Sequence, residues 1–145
     1  MTRSLAAVMA WALGAGAVGL AQKVVSVDEF DRAMKTIGTA MESVNQSIGS
    51  TAYAEAKVPL ALSRQVLAST RPFWSSVALE PNAAKMTKDG VAKLDALDKA
   101  LSAKTVDAAA VAAAVQDVTR ACDGCHAVYR EGDPQKGYRI KSAPR

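Results

Sequence analysis

Histidine and cysteine are scarce in this chain. Its 145 residues include a single histidine and two cysteines, and all three lie within the short segment from Cys122 to His126. A structural zinc site takes four ligands, which is more than these residues supply. A thioredoxin-like dithiol site is not indicated either, because no βαβ pattern surrounds the two cysteines. The scarcity leaves one short segment to carry metal or redox chemistry.

Aromatic residues make up only 5% of the sequence, and the net charge of +4 comes from basic residues that are dispersed along most of the chain. Proteins that bind nucleic acids usually concentrate lysine and arginine in a stripe that is interleaved with aromatic residues. We therefore predict no nucleic-acid partner. The length suits one domain with a substantial core, and it is too short for two.

The first 21 residues have the pattern of a secretory signal peptide. Arg3 provides a positive start, residues 5–20 are apolar and uncharged, and the small residues Gly19 and Ala21 precede the expected cleavage point. An uncleaved membrane anchor is the alternative, but the apolar segment is rich in alanine and glycine and is marginal in length for a membrane span. We predict a cleaved signal peptide at residues 1–21, followed by an exported protein that does not span a membrane.

The remaining residues, 22–145, have the periodicity of four amphipathic helices in one domain. Helices are predicted at residues 26–49, 51–70, 83–103 and 106–130, the first opening at the capping box Ser26–Glu29 and the last capped by Thr105. Apolar or small residues recur every three or four positions, as on one buried helix face. They are Phe30, Met34, Ile37, Met41, Val44 and Ile48; Val58, Leu62 and Val66; Thr87, Gly90, Leu94, Leu97 and Leu101; and Val111, Val115, Val118, Cys122, Cys125 and Tyr129. With no strand pattern visible, this predicts an all-α fold, an antiparallel four-helix bundle.

The segment Cys122-Asp123-Gly124-Cys125-His126 has the C-x-x-C-H spacing of a c-type haem attachment site. In such a site each thiol adds to a vinyl group of the porphyrin and the histidine ligates the iron. Residues three and four apart share one face of a helix, so both thiols and the imidazole point to the same side. A disulfide across this spacing inside a helix has poor geometry. The motif predicts one covalently attached haem c. That haem would use the only histidine of the chain, so no serine or cysteine would have a histidine left to act as its general base. We therefore predict that the protein is not an enzyme.

The motif lies near the C-terminus, on the last helix, within the run C-D-G-C-H-A-V-Y-R, and the run A-M-K-T-I-G lies on the first helix. In these features the chain resembles the class II cytochromes c, that is, cytochrome c-prime and its low-spin, methionine-ligated relatives. The resemblance covers the whole chain after the signal. It implies thioether bonds at Cys122 and Cys125, His126 as the proximal iron ligand, and Arg130 as the basic residue near that imidazole. It also makes a homodimer through the first two helices plausible.

The resemblance further places Met34 at the position of the sixth iron ligand in the low-spin members, whereas the high-spin members carry a non-coordinating side chain there. With the only histidine used, the possible sixth ligands are a methionine, a lysine or none. A core-filling role for Met34 is the alternative. One departure is clear: the family often has an Arg-Gln pair where this chain has Phe30 and Asp31.

Two functions follow from these expectations. The first is a carrier of single electrons in the periplasm of a Gram-negative bacterium, with a His/Met-ligated haem and redox proteins as partners. The second is a five-coordinate, c-prime-like haem protein that binds NO or CO. The basic tail, with Lys136, Arg139 and Lys141, could steer an acidic partner towards the haem, or it could be no more than a solvated end.

Overall fold

The computed structural model of the protein describes residues 23–76, 81–133 and 137–141. It is mostly helical, with 79% of the described residues in helices, which agrees with the all-α prediction. The elements are, in chain order, α1 (Val27–Gly49), α2 (Tyr53–Ser69), α3 (Arg71–Ser76), α4 (Pro81–Leu101), α5 (Ala108–Tyr129), β1 (Arg130–Asp133) and β2 (Gly137–Ile140). The predicted signal peptide, residues 1–21, lies outside the described residues.

Helix α1 begins at the predicted capping box. The Ser26 hydroxyl accepts a hydrogen bond from the Glu29 backbone N–H at 3.3 Å, and the Glu29 carboxylate accepts one from the Ser26 backbone N–H at 3.0 Å. Two of the N–H groups at the helix start are therefore satisfied reciprocally. The predicted inner face of α1 is also confirmed, since all of its members are buried or half-buried.

The predicted start of the last helix is wrong by two residues. Asp107, not Thr105, is the N-cap of α5, and its carboxylate accepts a hydrogen bond from the Ala109 backbone N–H at 2.8 Å. Helix α4 likewise begins at Pro81, earlier than predicted, because proline suits the first helical position, where its missing N–H costs nothing. The buried faces predicted for both helices are confirmed, with the two cysteines half-buried along the face of α5.

The predicted inner face of α2 is wrong at Val58 and Leu62, whereas Val66 is half-buried as predicted. Val58 is 78% exposed and Leu62 is 45% exposed. The helix instead buries Ala56, Leu60 and Ser63. A helix has 3.6 residues per turn, so positions spaced by four shift gradually around its surface. In α2 the side that packs inside is the one with the small residues Ala56 and Ser63, and Val58 lies on the solvent side. The short helix α3 was also not predicted, and its Phe73 and Trp74 are buried.

A two-stranded antiparallel ribbon follows α5, where no strand was predicted. Strand β1 pairs with β2, so that Arg130 lies opposite Ile140 and Gly132 lies opposite Tyr138. Gly132 and Gly137 adopt φ angles of +96° and +81°, a region that side chains disfavour. Strand β2 therefore returns to the end of α5, where the Lys141 backbone N–H donates a hydrogen bond to the Tyr129 carbonyl oxygen.

The core consists of two clusters of buried residues. The aliphatic cluster consists of Val44, Ala56, Leu60, Leu94, Leu97, Leu101, Val111 and Val118. The aromatic cluster consists of Phe30, Phe73, Trp74 and Tyr129, together with Val24, Ala33 and Ala83. Helix α1 packs on α2, α2 on α4, and α4 on α5. Among the described residues, the backbones of α1 and α5 make no comparably close contact. No helix in the described part of the chain has the length and apolar character needed to cross a membrane.

Candidate functional site

The two cysteines and the histidine of the C-x-x-C-H motif lie in the last two turns of α5 and are all half-buried. Cys122 packs against the aliphatic cluster, and Cys125 packs against the aromatic cluster. The motif therefore lies where the two clusters meet. Because the three side chains are three and four residues apart on one helix, they share a face. The prediction that the cysteines continue the buried face of the last helix is confirmed.

Burial sets the protonation states of the motif. Burial raises the pKa of the Cys122 thiol, and the negative charge of Asp123 raises it further. Burial also raises the pKa of the Cys125 thiol, with a smaller contribution from Cys122. Burial also lowers the pKa of His126; Arg130 lowers it further, while Asp123 opposes the shift. No disulfide joins the two cysteines. At neutral pH the site therefore presents two uncharged thiols and an uncharged imidazole, the form of histidine that binds a metal ion.

The structure brings a methionine from α1 to the same part of the core. Met34 is half-buried and packs against the aromatic cluster, as Cys125 does. Met41, which lies about two turns further along α1, packs against the aliphatic cluster instead. Of these two methionines, only Met34 shares a cluster with Cys125.

A third methionine also lies close to the motif. Met86 on α4 packs against the aromatic cluster, and its methyl carbon lies 3.7 Å from the point that a Cβ atom on Gly124 would occupy. The sequence placed Met86 near the start of its helix but gave no reason to bring it to the cysteines. The pairing of α4 with α5 accounts for the contact.

The aromatic cluster forms one side of the site. Phe30 stacks on Phe73 with ring centroids 4.5 Å apart, and Trp74 lies 4.9 Å from Phe30 and 5.3 Å from Tyr129. The Trp74 indole N–H donates a hydrogen bond to the Thr87 hydroxyl at 2.9 Å. Trp74 lies on α3 and is buried, and its ring packs between those of Phe30 on α1 and Tyr129 on α5.

The departure from the family pattern at residues 30 and 31 also has a structural basis. Phe30 is part of the aromatic stack, and Asp31 forms an ion pair with Lys35 at 2.7 Å. Neither side chain is a cation that could neutralise a haem propionate. If a propionate lies near this part of α1, a different residue must compensate its charge.

Arg130 ends α5 and begins β1. Its backbone N–H donates a hydrogen bond to the His126 carbonyl oxygen, and its guanidinium carbon lies 4.2 Å from the centroid of the Tyr138 ring. Arg130 follows His126 by one helical turn, and its positive charge lowers the pKa of His126. Arg130 therefore lies on the histidine side of the motif.

The donor set fits a haem that is attached through α5. Two thiols with the spacing for two vinyl groups adjoin an uncharged imidazole, and a thioether from another helix packs against the same cluster. The described residues contain no group of three or more His, Cys, Asp and Glu side chains that could chelate a bare metal ion. A haem iron requires no such group, since the porphyrin supplies four of its ligands.

Comparisons of the chain with models of protein families, with curated proteins and with solved structures gave no significant match. The functional assignment therefore depends on the residues of the site and on the resemblance in its motifs.

Proposed function

We propose that this protein is an exported c-type cytochrome that carries single electrons. In this proposal one haem c is bound covalently through Cys122 and Cys125, inside an antiparallel four-helix bundle of α1, α2, α4 and α5. His126 and Met34 would ligate its iron. The observation that carries the proposal is the C-x-x-C-H motif on the half-buried face of α5, with Met34 of α1 packed against the same cluster as Cys125.

The arrangement of the helices supports this assignment. Helices α1 and α5, which carry the proposed ligands, lack the close backbone contact that joins the other neighbouring pairs among the described residues. A planar group between them would have protein on both faces. The short connections between α1 and α2 and between α4 and α5 favour antiparallel neighbours.

The residues of the site would each have one task in electron transfer. Bound haem supplies the one-electron couple of its iron. His126 is fixed by its place on α5, and Met34 is fixed by its packing in the aromatic cluster, so neither ligand needs to move when the charge changes. The rings of Phe30, Phe73 and Trp74 keep water away from the same region. Rigid ligands and a dry site reduce the rearrangement that accompanies each transfer.

Binding of NO or CO is the second candidate function, and one observation favours it. Met34 lies among core side chains, and a methionine can fill such a space without binding a metal. In that case the iron would keep one open position, on the side opposite His126. The two candidate functions differ only in whether the Met34 sulfur ligates.

Export, a redox partner and dimerisation are further parts of the proposal. Val58 and Leu62 expose apolar surface on α2, and Leu62 lines a shallow groove with Thr36, Thr39 and Ser43 of α1. A surface of small and apolar residues at the α1–α2 pair is consistent with the homodimer that the resemblance implies. The periplasm is the proposed location, because haem attachment of this type follows export.

The test is the visible spectrum of the purified holoprotein in its oxidised and reduced states, after expression with a c-type haem maturation system. The carrier assignment predicts a low-spin spectrum in both states and little change on adding CO. A haem protein that is high-spin and binds CO rapidly would support the second candidate function. A protein with no haem absorption would contradict both candidates.

A further inference from the structure

The β-ribbon after α5 is fastened to the turn that carries His126. The Lys141 ammonium group donates a hydrogen bond to the Ala127 carbonyl oxygen at 2.7 Å, and its backbone N–H donates one to the Tyr129 carbonyl oxygen at 2.9 Å. Ile140 packs against the aromatic cluster. These contacts satisfy carbonyl groups at the end of α5, which have no partner within the helix. The return strand is therefore part of the site's support.

The pairing register of the ribbon brings Tyr138 to Arg130. Tyr138 lies opposite Gly132, and Ile140 lies opposite Arg130, so Tyr138 is the diagonal neighbour of Arg130 on one face of the ribbon. Diagonal neighbours are within reach of aromatic and long side chains. Gly132 has no side chain to separate the two. The guanidinium carbon lies 4.2 Å from the ring centroid, well within the range of a cation–π interaction.

The other cations of the ribbon are engaged elsewhere. Arg139 forms an ion pair with Glu131 at 2.6 Å, and the Lys141 ammonium group caps α5. Arg130 lies one helical turn after His126, and its backbone N–H donates a hydrogen bond to the His126 carbonyl oxygen. Because arginine is long and exposed here, its charge would otherwise be distributed over many rotamers. Contact with the Tyr138 ring restricts the guanidinium to one position at the end of α5, about one turn beyond the histidine.

We infer that Tyr138 is a positioning residue, which holds the Arg130 guanidinium at the end of α5, one turn beyond His126, and so raises the reduction potential of the haem. This inference rests on the proposed haem attachment but does not require Met34 to be a ligand. The oxidised iron carries one more positive charge than the reduced iron. A fixed cation on the histidine side therefore disfavours the oxidised state, and a cation at the protein surface acts more strongly than one in bulk water.

The test is a spectroelectrochemical titration of the holoprotein and of four variants: Tyr138→Leu, Tyr138→Phe, Arg130→Gln, and the double variant Tyr138→Leu with Arg130→Gln. At the midpoint potential of the unaltered protein, we expect less than half of the Tyr138→Leu haem to be reduced. Tyr138→Phe keeps the ring and should remain near one half. Arg130→Gln should lower the reduced fraction at least as much as Tyr138→Leu does. The reduced fraction of the double variant should equal that of Arg130→Gln, because the ring then has no cation to position.

The inference is overturned if Tyr138→Leu has the potential of the unaltered protein, or if it lowers the potential equally when Arg130 is absent. A general loosening of the ribbon is a different effect. It would lower the melting temperature of both Tyr138→Leu and Tyr138→Phe, and any fall in potential would be the same with and without Arg130. Failure of the proposed function is a separate result, since it would appear as an unaltered protein with no covalent haem. If Tyr138→Leu does not fold, Tyr138→Ile takes its place, because a β-branched residue suits a strand and removes the ring. A lower potential that depends on Arg130 would support the inference, and the potential of the unaltered protein would overturn it.

Discussion

Replacement of Met34 by leucine tests whether this side chain ligates iron or only fills the core. The side chain is half-buried against the aromatic cluster, and leucine nearly conserves its volume. Exchanges of this kind usually cost less than about 1.5 kcal/mol, which corresponds to a fall of a few degrees in melting temperature for a domain of this size. The fold should therefore survive while the thioether sulfur is lost.

The expected result is a change of spin state with little change of structure. Ferric Met34→Leu should be high-spin, and its ferrous form should take up CO readily, while circular dichroism remains that of the unaltered protein. Met41→Leu is the matched control, because Met41 lies on the same helix but packs against the aliphatic cluster. Met86→Leu is the second control, since Met86 also adjoins the motif.

Two results would refute the reasoning. If Met34→Leu remains low-spin and does not bind CO, another group is the ligand, and a high-spin Met86→Leu would identify it. If the unaltered protein is already high-spin and binds CO rapidly, the iron has an open position, and Met34 is a core side chain beside it.

Four further predictions concern stability, dimerisation and partner binding. Ser26→Ala should lower the free energy of unfolding by about 1 kcal/mol in thermal denaturation, because the first turn of α1 loses its cap. Hydrogen bonds from the Val25 and Ser26 backbones lower the pKa of Glu29. The stabilising effect of its carboxylate should therefore be present above the unfolded-state pKa and be lost as pH falls through the folded-state pKa. A difference in unfolding free energy between the unaltered protein and Glu29→Gln that does not change with pH would contradict this. Val58→Lys should shift a dimer towards monomer in sedimentation, and an unaltered protein that is monomeric at all concentrations would rule out the dimer. Lys136→Gln with Arg139→Gln keeps strand β2 and should slow electron exchange with an acidic redox protein and weaken its salt dependence. No change in either would leave these cations without a role in steering.

The parts of the fold that were predictable from sequence are those where local chemistry and burial agree. At the start of α1 the serine and the glutamate satisfy each other's backbone groups, whatever the rest of the chain does. Along α5 the apolar spacing runs without interruption into the two cysteines, and the structure buries that face. The C-x-x-C-H spacing itself needs only a helix to bring its three side chains to one side.

The errors arose where tertiary packing outweighed the local pattern. In α2 the buried positions include Ala56 and Ser63, which are small enough for close packing, whereas the larger Val58 faces outwards. Strand β2 is short, and its pairing depends on the positive φ angles of Gly132 and Gly137. Neither the contact of Met86 with Gly124 nor that of Tyr138 with Arg130 is visible without knowing which elements are neighbours.

The most direct test of the account is whether haem is bound covalently at Cys122 and Cys125. The protein is expressed with a c-type maturation system, separated on a denaturing gel and stained for haem peroxidase activity, with acid-acetone extraction and intact-mass measurement alongside. The account predicts staining that extraction does not remove and a mass increase of one haem, both abolished in the Cys122→Ser, Cys125→Ser double variant. Haem that is fully extractable, or a chain mass without haem, would contradict it.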